Sequence, residues 1–231
     1  SLYKVFSPTK DTKEMLVNLK IFSDSKINVL KDPIVEIDKI NILKNIETIE
    51  INEIKDYIIN VGRLTNQKNQ IFLIEAFSKI KKKNKELKLV ILGDGELKDE
   101  LIKKAIELNV VNDIYLLGYK ENVYPFYKNA MCFVLTSKWE DPGFVMIEAA
   151  ASKLIIISSD CNNGPKEFIK NNERGYLYKN HNSDDFQEIF ETFIKDKKNN
   201  PKKIDKKKLE AFKEAKNYTK FSHYREILNN L

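Results

Sequence analysis

The chain has 231 residues, 40 Lys and Arg against 34 Asp and Glu, a net charge of +6, and 42% hydrophobic residues. That length holds one domain, or one with part of another, around a full core. The composition excludes collagen, coiled coil and disorder, and the two cysteines, Cys132 and Cys161, exclude a disulfide scaffold and point to a reducing compartment. No run of about 18 apolar residues offers a membrane span.

Residues 1–30 read as strand (3–6), helix (8–21) and strand (26–30), without a glycine. Residues 34–54 are Ile-rich and acidic with mixed periodicity, and no element is assigned to them. All seven glycines lie beyond this segment, from Gly62 to Gly175. Three of them close apolar runs: YIINVG, LKLVILG and DIYLLG. Two further runs, AMCFVLTS (130–137) and LIIISS (154–159), end in hydroxyl residues. Short, non-alternating runs of Val, Ile and Leu predict strands buried on both faces. Between them, helical periodicity covers 68–83 and 96–109, with shorter helices at 121–128, 143–151 and 165–170. Five alternations of strand and helix predict an α/β fold with a doubly wound parallel sheet. In such sheets ligands bind beyond the carboxyl ends of the strands, where these glycines cluster. Helix follows again at 183–195 and, after Asn199-Asn200-Pro201, to the end of the chain.

The cations need a partner class. Arginine occurs only as Arg63, Arg174 and Arg225, and the lysines are dispersed or bunched at 81–83 and 206–208. These are solvated helix faces, with no DNA- or RNA-binding motif beside them, so nucleic acid is not expected. A peripheral contact with anionic headgroups is compatible with them.

Two segments carry chemistry. In VGRLTNQKNQ (61–70), Arg63 follows the strand end at Gly62 and Lys68 lies at the start of a helix. A planar guanidinium and a mobile ammonium beside unsatisfied helix N–H groups make an anion site. The bland reading is a turn with two solvated charges. In WEDPGFVMIEAAA (139–151), Glu140 ends a loop, Pro142-Gly143 opens a helix, and Glu148 lies about 8 Å further along it. The amides of Gly143, Phe144 and Val145 can hold a phosphate, and the carboxylates can accept from sugar hydroxyls. Read blandly, they are a helix-start acid and a solvated mid-helix Glu.

The order Gly62-Arg63-Leu64…Lys68, Gly93-Asp94-Gly95, Ser137…Glu140…Glu148 resembles the family 4 retaining glycosyltransferases of the GT-B fold. SKWEDPGFVMIEAA followed by SSDCNNGPKEFI is similar to bacterial members that build surface polysaccharides. The resemblance implies a Rossmann-like nucleotide-sugar-binding domain at 26–195. Residues 1–25 would then be the tail of an acceptor-side domain, and 196–231 helices that pack back toward it. It further implies transfer of a hexose from a UDP- or GDP-sugar to a glycan or lipid-linked acceptor, without a metal, in the cytoplasm at the inner face of the membrane. This part alone would bind donor but transfer poorly. Arg63 and Lys68 would stabilise the diphosphate, Glu140 would contact the donor sugar, and Glu148 the ribose. The amides of Gly143, Phe144 and Val145 would hold the distal phosphate, with Gly93, Gly95, Tyr119 and Lys120 bordering the base. Asp141-Pro142-Gly143 departs from the Gly-Phe-Gly of many members, which leaves the donor sugar open. The rival reading is a non-catalytic binding module on the same fold. A dinucleotide oxidoreductase is weaker, since no third glycine follows Gly93 and Gly95 at the required spacing. Trp139 is read as core or as donor-pocket wall, with packing favoured; His181 and His223 are expected to be solvated or capping, and Cys161 to be unactivated. Asp160, Lys166 and Glu167 are read equally as a site floor or as an ordinary helix start.

Overall fold

The computed structural model describes residues 4–230; Tyr3, the start of the first expected strand, and Leu231 lie outside them. Six strands form one parallel sheet: β3 (Tyr57–Val61), β4 (Lys88–Leu92), β5 (Ile114–Leu116), β6 (Cys132–Leu135), β7 (Ile156–Ser159) and β8 (Tyr176–Tyr178). Their order is β5-β4-β3-β6-β7-β8, so the chain winds outward one way from β3 and then the other from β6. The expected doubly wound sheet is present. Its last strand, only three residues long, gives no recognisable run in the sequence.

The strands are non-alternating because both faces are covered. On one side Ile59, Val90, Phe133, Leu135 and Ile156 pack against α6 (Tyr124–Asn129), α7 (Phe144–Ala151), α8 (Pro165–Ile169) and α10 (Pro201–Ala215). On the other, Ile58, Leu89, Ile91, Val134 and Ile157 meet α4 (Gln70–Lys81), α5 (Lys98–Glu107) and α9 (Ser183–Asn199). Helix α9 presents Phe186, Phe190 and Phe193 at helical spacing, all fully buried. Residues 34–54 hold two short helices, α2 (Ile37–Leu43) and α3 (Ile49–Asn52), which bury Ile40 and Ile51.

Strands β1 (Val5–Ser7) and β2 (Ile27–Val29) form a separate parallel pair around α1 (Lys10–Asn18). Near the sheet's ligand edge this unit is tied by polar contacts: the amide of Lys10 donates to Glu167 (2.9 Å), Thr12 Oγ1 to Asp141 (3.2 Å), and the amide of Asn163 to Asp11 (2.9 Å). At its far side Asn28 bonds Asn230, at the end of α11 (Lys220–Asn229), and the Lys31 carbonyl bonds His223.

Candidate donor site at the switch point

The strand order reverses between β3 and β6, and the crevice outside their carboxyl ends is where such sheets take ligands. The recorded β3–β6 ladder pairs Ile58 with Cys132 and Ile59 with Phe133. Beyond it the buried Asn60 side chain donates to the Val134 carbonyl at 2.8 Å. The loops that follow the two strands face each other there, and a cavity of about 680 Å³ opens between them. That volume lies within the ordinary range for small-molecule sites.

The cationic turn is held from below. Gln70, fully buried at the start of α4, donates to the Arg63 carbonyl at 3.0 Å, and Thr136 Oγ1 donates to the Lys68 carbonyl at 2.9 Å. Across the crevice the Lys138 amide donates to Gln67 O (2.8 Å) and Gln67 Nε2 to Trp139 O (3.0 Å), so the two loops form one wall. Gly93 sets how closely the next turn approaches: at φ +139° an added Cβ would stand 1.9 Å from the Gly62 carbonyl oxygen. No larger residue fits there.

The acidic segment continues that wall. Glu140 is 4% exposed, and its Oε1 accepts from Lys68 Nζ at 2.6 Å and from Ser137 Oγ. Gly143 caps α7 in the left-handed region at φ +90°, and no side chain caps the helix. The first turn carries no acidic residue, so its leading N–H groups keep the partial positive charge that attracts anions.

The structure brings most of the expected residues to this cavity: Gly62, Arg63, Lys68, Gly93, Tyr119, Lys120, Glu140, Gly143, Phe144 and Val145 all line it. Two stand back. Gly95 packs against the Leu64 backbone, where an added Cβ would lie 2.5 Å from the carbonyl oxygen. Glu148 lies one turn beyond Phe144 and Val145, and burial pushes its carboxyl up to about 7. Lys120 pairs with Glu50 at 2.6 Å, which ties the 119–120 loop to α3.

Sequence reasoning missed Gln67, Val123 and Asp141, which also line the cavity. Of the two readings of Trp139, core or pocket wall, the less favoured holds: the residue is 49% exposed on the cavity wall. A single aromatic beside a buried Glu carries no signal for which way it turns. Asp160 accepts from the Asn180 amide at 2.8 Å, and Glu167 serves the contact to Lys10. Both are therefore occupied by backbone donors. Burial pushes the Cys161 thiol up to about 11, so it is not an activated nucleophile. His181 contacts Asn69 at 3.3 Å, next to the turn but outside the cavity lining.

Residues 41–214 match the family model described as glycosyl transferases group 1. The chain belongs to that family. It is 45% identical over 138 residues to an uncharacterized glycosyltransferase of Methanocaldococcus jannaschii, covering 58% of this chain and 34% of that protein. It is 32% identical over 190 residues to the Campylobacter jejuni N-acetylgalactosamine-N,N'-diacetylbacillosaminyl-diphospho-undecaprenol 4-alpha-N-acetylgalactosaminyltransferase, covering 82% of this chain and 50% of that protein. The fold aligns with the solved Anabaena HepE, crystallised with UDP, at a TM-score of 0.83 and 17% identity over 99% of this chain and 63% of that one. The chain thus spans between 34% and 50% of the length of these two curated relatives. Among the described residues no helix is long and apolar enough to cross a membrane.

Proposed function

We propose that this chain is the donor-binding part of a retaining hexosyltransferase that uses a nucleoside-diphosphate sugar, UDP- or GDP-linked, in the building of surface polysaccharide. One observation carries the reading: Arg63, Lys68, Glu140 and the uncapped start of α7 converge on a single cavity at the switch point. A diphosphate fits a cationic turn facing a helix N-terminus, and a buried carboxylate beside it suits sugar hydroxyls. As the donor bond breaks, negative charge grows on the leaving phosphate, and Arg63, Lys68 and the α7 amides stabilise it. The acceptor attacks from the same face and the departing phosphate takes its proton, so no protein nucleophile is needed. The cations and the helix start do the work of charge neutralisation without a metal.

Exposed Tyr119 borders the base, together with Lys120 and the Gly93 turn, and Glu148 reaches the ribose. In a longer protein the β1–α1–β2 unit, which runs past residue 25 to Val29, belongs to the acceptor-side domain, and 196–231 pack back toward that domain. The acceptor is a glycan or lipid-linked sugar, met at the inner face of the membrane by a cytoplasmic enzyme in peripheral contact with it. The test is thermal: a ligand that binds only the folded state raises the melting temperature. One of UDP, GDP and ADP at millimolar concentration stabilises the wild type, and Lys68→Ala reduces that stabilisation. Indifference of the wild type to all three defeats the reading.

A further inference from the structure

The two groups assigned to different parts of the donor are bonded to each other. Lys68 Nζ sits 2.6 Å from Glu140 Oε1, and the two side chains are only 15% and 5% exposed. Ser137 Oγ, fully buried, donates to the same oxygen. Oε1 is therefore saturated, while among the described residues no group donates to Oε2. The Lys68 backbone is fixed through Thr136, and its aliphatic stem lies along Gly62, 3.4 Å from where a Cβ would stand. Its ammonium can thus change partners by side-chain rotation, without movement of the turn.

We infer that this ion pair is an exchange switch: the diphosphate of the donor takes Lys68 from Glu140, and the carboxylate so released becomes the acceptor for hydroxyls of the sugar carried on that diphosphate. The inference rests on the donor reading above and adds to it an order of dependence. A free sugar meets a carboxylate whose Oε1 is already satisfied. A nucleoside diphosphate without sugar must break a shielded charge pair and gains no sugar contact in return. The intact donor supplies both the anion that draws Lys68 away and hydroxyls that take its place on Oε1, beside those Oε2 can accept. The cavity therefore discriminates between donor and spent nucleotide through one lysine.

The variants Glu140→Gln and Ser137→Ala test this by titration calorimetry with UDP, GDP and ADP, and with the glucose conjugate of whichever nucleotide binds. An amide oxygen still accepts from Lys68, but as a neutral group. Charge-assisted and neutral bonds differ by about a factor of ten in equilibrium constant. The nucleoside diphosphate is expected to bind Glu140→Gln roughly tenfold more tightly than the wild type, and the extra affinity of the sugar conjugate is expected to shrink, since a neutral amide oxygen accepts more weakly than a carboxylate. Ser137→Ala removes the competing donor from Oε1, tightens the Lys68–Glu140 pair and should weaken nucleoside-diphosphate binding. Unchanged or weaker nucleoside-diphosphate binding by folded Glu140→Gln overturns the switch while leaving the donor site standing. Should that variant not fold, unchanged affinity in Ser137→Ala overturns it. Failure of every nucleotide to bind the wild type defeats the underlying reading instead.

Discussion

Glu148→Gln separates the charge of a buried carboxyl from its shape. Glu148 lies in the second turn of α7, and burial raises its pKa from 4.5 to about 7. A carboxyl that holds its proton more tightly folded than unfolded makes folding less favourable once the solution pH passes the unfolded value. The penalty is absent below about pH 4.5, grows through the interval, and is complete above about pH 7. A rise of this size corresponds to about 3 kcal/mol. Glutamine keeps the side-chain length and has no charge to bury. Urea unfolding of both proteins from pH 4.5 to 8 should therefore show the variant gaining on the wild type by about 2–3 kcal/mol as pH rises. Any constant offset from replacing hydroxyl with amide cancels in that comparison. A stability difference that does not change with pH refutes the argument, because it would place the carboxylate in contact with water. The same site connects to ligand binding: ribose hydroxyls donating to the carboxylate favour its ionised form. A bound nucleotide should accordingly lower the Glu148 pKa, and nucleotide affinity should increase from pH 5 to 7.

Other perturbations have simpler outcomes. Gly93→Ala drives a Cβ to 1.9 Å from the Gly62 carbonyl oxygen at a left-handed φ, and should cost about 2–4 kcal/mol in urea midpoint with the slope unchanged. Phe190→Ala empties a fully buried position between Phe186 and Phe193, for a loss of about 3–5 kcal/mol measured by thermal unfolding. Arg63→Lys keeps the charge but loses the planar fork, and should weaken the nucleoside diphosphate roughly tenfold in calorimetry. Turnover by a full-length enzyme containing this domain should be unaffected by EDTA.

The central sheet was legible because burial on both faces leaves its mark directly in the chain. Tyr57–Val61 and Lys88–Leu92 are five-residue strands whose residues are almost all buried, and apart from the hydrogen-bonded Asn60 and the partly buried Lys88 they form hydrophobic runs. Residues 34–54 were not legible for the opposite reason. Helix α2 buries only Ile40, while Ile42, Ile46 and Ile49 stand largely exposed, so isoleucine there does not report burial. Strand β8 escaped because Tyr176 to Tyr178 stand alone between Arg174-Gly175 and Lys179, without the flanking apolar residue that extends three-residue β5 into the run IYLL, and because the pairing with β7 that defines them is long-range. Local pattern encodes what a segment buries, and says little where tertiary contact alone decides.

The candidate site divides along the same line. The residues that meet at the cavity were readable as chemical types at a spacing: a guanidinium and an ammonium after one strand, a carboxylate and a glycine-led helix after another. What joins them was not readable, because Lys68 and Glu140 are 72 positions apart and their bond depends on β3 lying beside β6. The buried polar groups that hold the two loops, Gln70, Thr136 and Ser137, look in sequence like an ordinary helix start and strand end. Their burial at 0–1% exposure gives them weight, since a buried hydroxyl or amide needs a partner and so fixes whatever it bonds. Two of them bond backbone carbonyls of the cationic turn and the third bonds the Glu140 carboxylate. The charges are thus legible in the sequence, whereas the neutral groups that hold the Lys68 backbone and the Glu140 carboxylate beneath them are not.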